Sequence, residues 1–389
     1  VSPAPDTQIT IVTSPAATSA PTDTDAWFVA GFAASGAFNT PTLVQSISDF
    51  TTTFGAAVNY GPLWDSLDVY FRLGGARAYV SRVGGPAATG TGASDDHTNA
   101  TDTQWQSAVD AFPKSLGPGQ VSMPGRTTDT AHINLLAHAQ AKNRFALLDA
   151  ADTPTVATLT ASATAAAAPG NGKYGSLWAP WAVVRGTTPA STRTVPYSCV
   201  QAALLAANDS AGVPRSQAAA GKDYGIPGDY VTGLSQPAWV LADRGTLEDG
   251  GVSIARIVDN QVASWANRTV DLSTDPRYQQ ASGMRVLMAM VAEFDVIGVR
   301  YEHKRIDGRR HLISQFGSDL SAACKRHYDS DDLFGDTPSQ AYVVDVGPTI
   351  NTLTTIQAQT LKAAVGLKVS ETADVIQINI LQHLLVEAL

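Results

Sequence analysis

The chain has 389 residues, 44% of them hydrophobic, and a mean hydropathy of -0.03, enough for two or three globular domains and too apolar for a disordered polymer. Its net charge of -9 argues against nucleic-acid binding by the chain as a whole. No run reaches the roughly 20 apolar residues that a membrane span requires; the richest, residues 286–299, is broken by Glu293 and Asp295.

Residues 1–25 hold Pro3, Pro5, Pro15 and Pro21 around one short alternating segment, Ile9-Thr10-Ile11-Val12. Nothing nearby can bury it, so it reads as a free tail or as a strand for another sheet. A core begins with the strand pattern of residues 27–31. A second strand at 42–44 leads to Ser48-Asp49-Phe50, a candidate helix start. Pro62 opens a helix with Leu63, Leu67, Tyr70 and Phe71 on one face, and Gly74-Gly75 closes it. Residues 76–83 alternate as a strand. The Gly-, Ala-, Thr- and Ser-rich run from Gly84 has no hydrophobic period and reads as an exposed loop.

Helix and strand patterns then alternate: a helix from Thr130, a strand at 145–148, an alanine-rich helix at 155–168, one strand near 178–184 and a helix at 196–207. Such alternation predicts an α/β layer fold. Two long helices follow, at 278–302 and 312–328. Near the end, Leu361, Ala363, Val365, Leu367 and Val369 alternate with polar or small residues. After Ser370-Glu371-Thr372, so do Ile376, Ile378 and Ile380. The period of two predicts a half-buried hairpin whose last strand is a sheet edge open to another strand.

Catalytic patterns fail on their spacing. Gly170-Asn171-Gly172-Lys173 is followed by Tyr174 where a phosphate loop needs Ser or Thr, and Ala167 stands where it needs Gly, leaving a tight turn. Asn208-Asp209-Ser210-Ala211-Gly212 lacks the first glycine of a nucleophile elbow and reads as a helix C-terminal turn. Asp329-Ser330-Asp331-Asp332 has Phe334 at the sixth position of a calcium loop and no Glu at the twelfth, so a solvated acidic run is expected. His132 and His138 are six apart and do not share a helix face. Asp149 ends a strand with no partner motif and reads as a turn former. Cys199 and Cys324 fall in separate helical stretches and read as small buried hydrophobes of a chain made in a reducing compartment. No enzyme, metal site or cofactor is expected.

Several segments together resemble the contractile tail sheath family of bacteriophages and related injection systems. These are DAWFVAGFAASGAFNTPTLVQSISDFTTTFG (25–55), PLWDSLDVYFRLGGARAYVSRV (62–83), RFALLDA (144–150), LWAPWAVV (177–184) and GGVSIARIVDNQVASWANRTV (250–270), followed by the helix pair and the terminal alternating segments. The resemblance implies an N-terminal arm at 1–25 and a middle α/β domain at 26–270, with an exposed loop at 84–120 in place of the family's outer insertion domain. A C-terminal α/β domain at 271–389 would follow. It also implies a structural subunit that stacks as hexameric rings around an inner tail tube, meets baseplate and tail terminator proteins, and contracts as part of a virion tail or of a bacterial injection system. It implies neither nucleic-acid binding nor membrane insertion. The family exchanges strands between subunits, which gives roles to Ile9, Thr10, Ile11 and Val12 and to Ile376, Ile378 and Ile380. Between Arg300 and Arg326 seven Lys and Arg residues stand against three acidic ones, and Lys325, Arg326 and Phe334 are the expected tube-facing residues. A non-contractile ring or shell protein and a soluble α/β enzyme are the alternatives.

Overall fold

The computed structural model describes residues 22–58, 61–84, 100–186, 191–226, 228, 230–236 and 239–373. Strand β1 (Trp27–Gly31) is buried along its whole length. It runs parallel between β3 (Ala78–Arg82) and β4 (Gln120–Ser122), with β2 (Thr42–Val44) antiparallel outside β3. From β4 the sheet continues in parallel through β5 (Phe145–Asp149) and β6 (Gly175–Ala179) to β11 (Val252–Val258). It closes with antiparallel β12 (Gln261–Ser264) and β9 (Gly225–Ile226). A smaller antiparallel sheet joins β7 (Ala182–Arg185), β8 (Thr192–Val195) and β10 (Val231–Leu234).

A parallel sheet must be covered on both faces, and alternating side chains of β1 show how this is done. Trp27 and Val29 join a core with α2 (Leu63–Arg72) and α6 (Tyr197–Ser210). Phe28 and Ala30 join the opposite core with α3 (Asp102–Asp110), α4 (Asp129–Lys142) and α5 (Val156–Ala167). Helix α1 (Ile47–Phe54) sends Phe50 and Phe54 into the first core, and α7 (Leu241–Asp249) sends Leu247 into the second.

Several expectations need correction. The cap of α1 is Ser46, whose hydroxyl accepts from Asp49 N–H, two residues before the expected start. Residues 100–120 are no exposed loop: Trp105, Ala108, Val109 and Phe112 are fully buried, and Gln120 opens a central strand. Residues 85–99 of that expected loop lie outside the described residues. The single strand near 178–184 is two, split at Pro180 and placed in different sheets; proline has no N–H for a ladder.

The acidic run 329–332 is not uniformly solvated either, because Asp332 is buried. Asp149 does more than form a turn. Buried at the end of β5, it accepts from Ser198 N–H (2.8 Å), Ser198 Oγ (2.6 Å) and Gly125 N–H (3.1 Å), satisfying the first turn of α6. Burial pushes its carboxyl up to about 6, against the pull of those donors. Both cysteines are buried and free, and no described helix is long and apolar enough to cross a membrane.

Candidate assembly surfaces

The C-terminal part is built on two long helices, α8 (Ala281–Val299) and α9 (His311–Asp329). The short helix α10 (Pro338–Ala341) leads into β13 (Tyr342–Asp345), and α11 (Leu353–Gln357) precedes β14 (Ala364–Leu367). These two strands form an antiparallel pair with Tyr342 opposite Leu367 and Asp345 opposite Ala364. Tyr342, Val344, Val365 and Leu367 pack against the helices, while Val343, Asp345, Ala364 and Gly366 face out. One face is covered, as the period of two predicts. On one edge, residues 364–367 pair with 342–345, a partner the sequence did not suggest, and Ser370–Thr372 form no turn; the expected partner strand at 376–380 lies outside the described residues.

The register leaves open edges. Lys368 N–H donates to Ala341 O and Phe334 N–H to Lys368 O, each at 2.9 Å. With a two-residue period, Ala364, Gly366 and Lys368 therefore turn their backbone polar groups toward β13. Those of Val365, Leu367 and Val369 point away, and among the described residues nothing pairs with them. A two-stranded sheet is marginal alone, and an unpaired edge is a template for another strand.

This unit is tied to the rest by buried polar contacts. Arg285 of α8 pairs with Asp209 at the end of α6. Asp209 also accepts from Thr24 Oγ1 at 2.7 Å, and Arg215 Nε donates to the same hydroxyl at 2.9 Å. The chain following residues 1–21 is thus anchored where the two helical layers meet. A second tie runs through Asp332, which accepts from Ser216 N–H at 3.0 Å and lies 2.9 Å from His327 Nδ1. His327 Nε2 stands 3.3 Å from Glu293. Burial alone would lower the imidazole, but its hydrogen bond to Asp332 and its close approach to the Glu293 carboxylate prevail and raise it to about 9. These ties left no motif in the sequence; Asp209 was visible only within a helix C-terminal turn and Asp332 only within an acidic run.

Of the expected site residues, Ile9, Thr10, Ile11, Val12, Ile376, Ile378 and Ile380 lie outside the described residues. Lys325, Arg326 and Phe334 are all exposed, Phe334 at 67%. The two cations are already neutralised locally: Lys325 by Asp329 and Arg326 by Glu293, each at 2.7 Å. By contrast Arg300, Lys304, Arg305 and Arg309, in the loop before α9, are exposed and form no ion pair among the described residues.

No family model and no curated protein matches the sequence. Solved structures do. The anti-feeding prophage helical sheath in its contracted state aligns over 98% of this chain and 100% of its own, with a TM-score of 0.71 and 18% identity. The contracted sheath of an extracellular contractile injection system (PVC) aligns over 98% of both chains at TM-score 0.70 and 16% identity. This chain has the contractile-sheath fold. A sheath tail protein from Desulfitobacterium hafniense matches less closely, at TM-score 0.57, 11% identity, and 88% and 93% coverage. In the first two alignments nearly every residue on either side is matched, so neither sheath carries a large domain that this sheath-fold chain lacks.

Proposed function

We propose that this chain is the structural subunit of a contractile sheath, stacking as hexameric rings around an inner tube and shortening to drive the tube through a target envelope. The observation that carries the reading is the sheath fold over 98% of the chain. The open-edged sheet beside α8 and α9 supports it, because a subunit that polymerises by strand addition needs such an edge. The N-terminal segment Ile9–Val12 of one copy and Ile376–Ile380 of another are the strands assigned to those edges. Contraction is then rigid-body rotation of subunits while the strands stay paired. Baseplate and terminator proteins would bound the stack, and the exposed surface around Lys325, Arg326 and Phe334 would meet the tube. Domain limits of 26–270 and 271–389 suit this division of labour.

Negative-stain microscopy of the purified chain, alone and with a tube protein, tests the reading: wide-bore rings or tubes are expected. Removing residues 1–13 should leave a folded monomer, with unchanged circular dichroism, that no longer stacks. A chain that stays monomeric under every condition would overturn the assignment.

A further inference from the structure

Off the end of the small sheet where β14 begins lies a groove of about 910 Å³ that the assembly reading does not use. Its floor is apolar: Tyr301, Ile306, Leu312, Phe316, Ile356 and Leu361. All but Tyr301 are only half-buried, which leaves their apolar surface uncovered. Glu302 and Lys304 lie on its wall, in a loop where Arg300, Arg305 and Arg309 add exposed cations with no ion pair among the described residues, leaving the loop basic on balance. The groove suits an apolar segment bearing negative charge.

The chain contains one. Beyond the alternating Ile376, Ile378 and Ile380, its sequence changes period: Leu381, Leu384, Leu385 and Leu389 recur at helical spacing, with Glu387 between them. The described chain ends at residue 373, at the opposite end of α8 from its own groove. Thr372 N–H donates to Gln280 Oε1 at 3.1 Å and its hydroxyl accepts from Asn267 at 3.2 Å, which holds residues 370–373 against the start of α8. The groove is instead formed at the far end of that helix, by Gly298 and Tyr301. A helix of this length measures roughly 28 Å.

We propose that residues 381–389 of a second copy occupy this groove. The proposal rests on the strand-addition reading and extends it. A strand of residues 376–380 laid antiparallel on the free edge of Val365, Leu367 and Val369 enters beside Val369 and leaves beside Val365, heading toward Leu361. It delivers the following leucines to Ile356, Leu312 and Phe316, and Glu387 to the basic loop. One copy would then hold the next by a backbone ladder and by an apolar plug in series.

The test uses two differently tagged full-length chains, one carrying Leu385→Cys and the other Ile356→Cys, co-expressed and oxidised. A mixed disulfide on a non-reducing gel is expected, with neither variant cross-linking alone; Cys199 and Cys324 are buried. No mixed disulfide, or a bond formed only within one chain bearing both substitutions, overturns the proposal. Chains ending at 380 and at 373 separate the plug from the strand. Covering several leucines is worth at least about tenfold in affinity, so removal of 381–389 alone should raise the critical concentration for assembly by that factor or more. If only the shorter chain is impaired, the strand reading survives and the plug does not; if neither is, both fail. Ile356→Asp, which leaves the tail intact, should reproduce the loss in a chain whose circular dichroism is unchanged.

Discussion

Arg285 on α8 and Asp209 at the end of α6 form a buried ion pair, with 4% and 3% of their side chains exposed. Removing one member leaves the other charge buried, which typically costs about 3–5 kcal/mol. Asp209→Ala and Arg285→Ala are each expected to lower the melting temperature by several degrees, and the double variant by less than their sum. Calorimetry on the three variants measures the coupling. Additive losses would show that the pair does not hold the two layers together.

His327 gives the fold a pH dependence of definite sign. Its folded value of about 9 lies above the unfolded value of about 6.5, so folding favours the protonated ring. The stabilisation is complete below about pH 6.5 and is lost as pH rises through about 9. Thermal stability should fall across that window, and His327→Gln should be less stable at pH 6.5 with a flatter profile above it. An unchanged decline in the variant would place the titrating group elsewhere.

The sequence made the strongly periodic elements legible: β1, α2, β3, α4, β5, α8 and α9 lie within a few residues of their expected positions. It hid elements whose burial depends on partners far along the chain. Gln120 and Ser122 look like loop residues, yet each is buried with a hydrogen bond across the core, Gln120 to Thr24 O and Ser122 from Trp27 Nε1. Helix α3 carries Trp105, Ala108 and Val109 at helical spacing, but its polar neighbours and the preceding glycine-rich run masked them. The sheath resemblance came from the order of many weak segments. The open edge of β14 needed the register, which no periodicity reports.

An insertion test follows from the corrected boundary. A short tag after Ala93, in a run without hydrophobic period, should leave melting and self-assembly unchanged. The same tag after Ala108, fully buried against the sheet, should abolish soluble expression. Equal tolerance at both sites would contradict the placement of α3 in the core.

Ion pairing at the tube-facing candidates changes what charge removal should do. Lys325 and Arg326 are held by Asp329 and Glu293, and a neutralised exposed pair contributes little to a distant field. If an acidic tube is bound through this end of the molecule, Arg305→Ala/Arg309→Ala should weaken co-sedimentation with tube more than Lys325→Ala/Arg326→Ala. The difference should be largest at low salt, where screening is weakest. A larger effect of the second variant would show that the paired cations of α9 contact the tube directly rather than through the field of the neighbouring loop.

Proline substitutions along β14 separate the pairing within a subunit from pairing between subunits. Gly366 turns its N–H toward Val343, its partner in β13, so Gly366→Pro removes a ladder bond and should destabilise the monomer by about 1–3 kcal/mol. Val365 turns its N–H to the free edge. Val365→Pro keeps every bond to β13 and gives up only part of a half-buried side chain, on the order of 1 kcal/mol. It nevertheless denies an incoming strand its central donor. The expected outcome is a monomer that melts close to the parent and has lost ring stacking, whereas Gly366→Pro melts early at any concentration. Calorimetry at low concentration and microscopy at high concentration read the two effects apart. Normal stacking by a folded Val365→Pro chain would show that the free edge of β14 is not where subunits join.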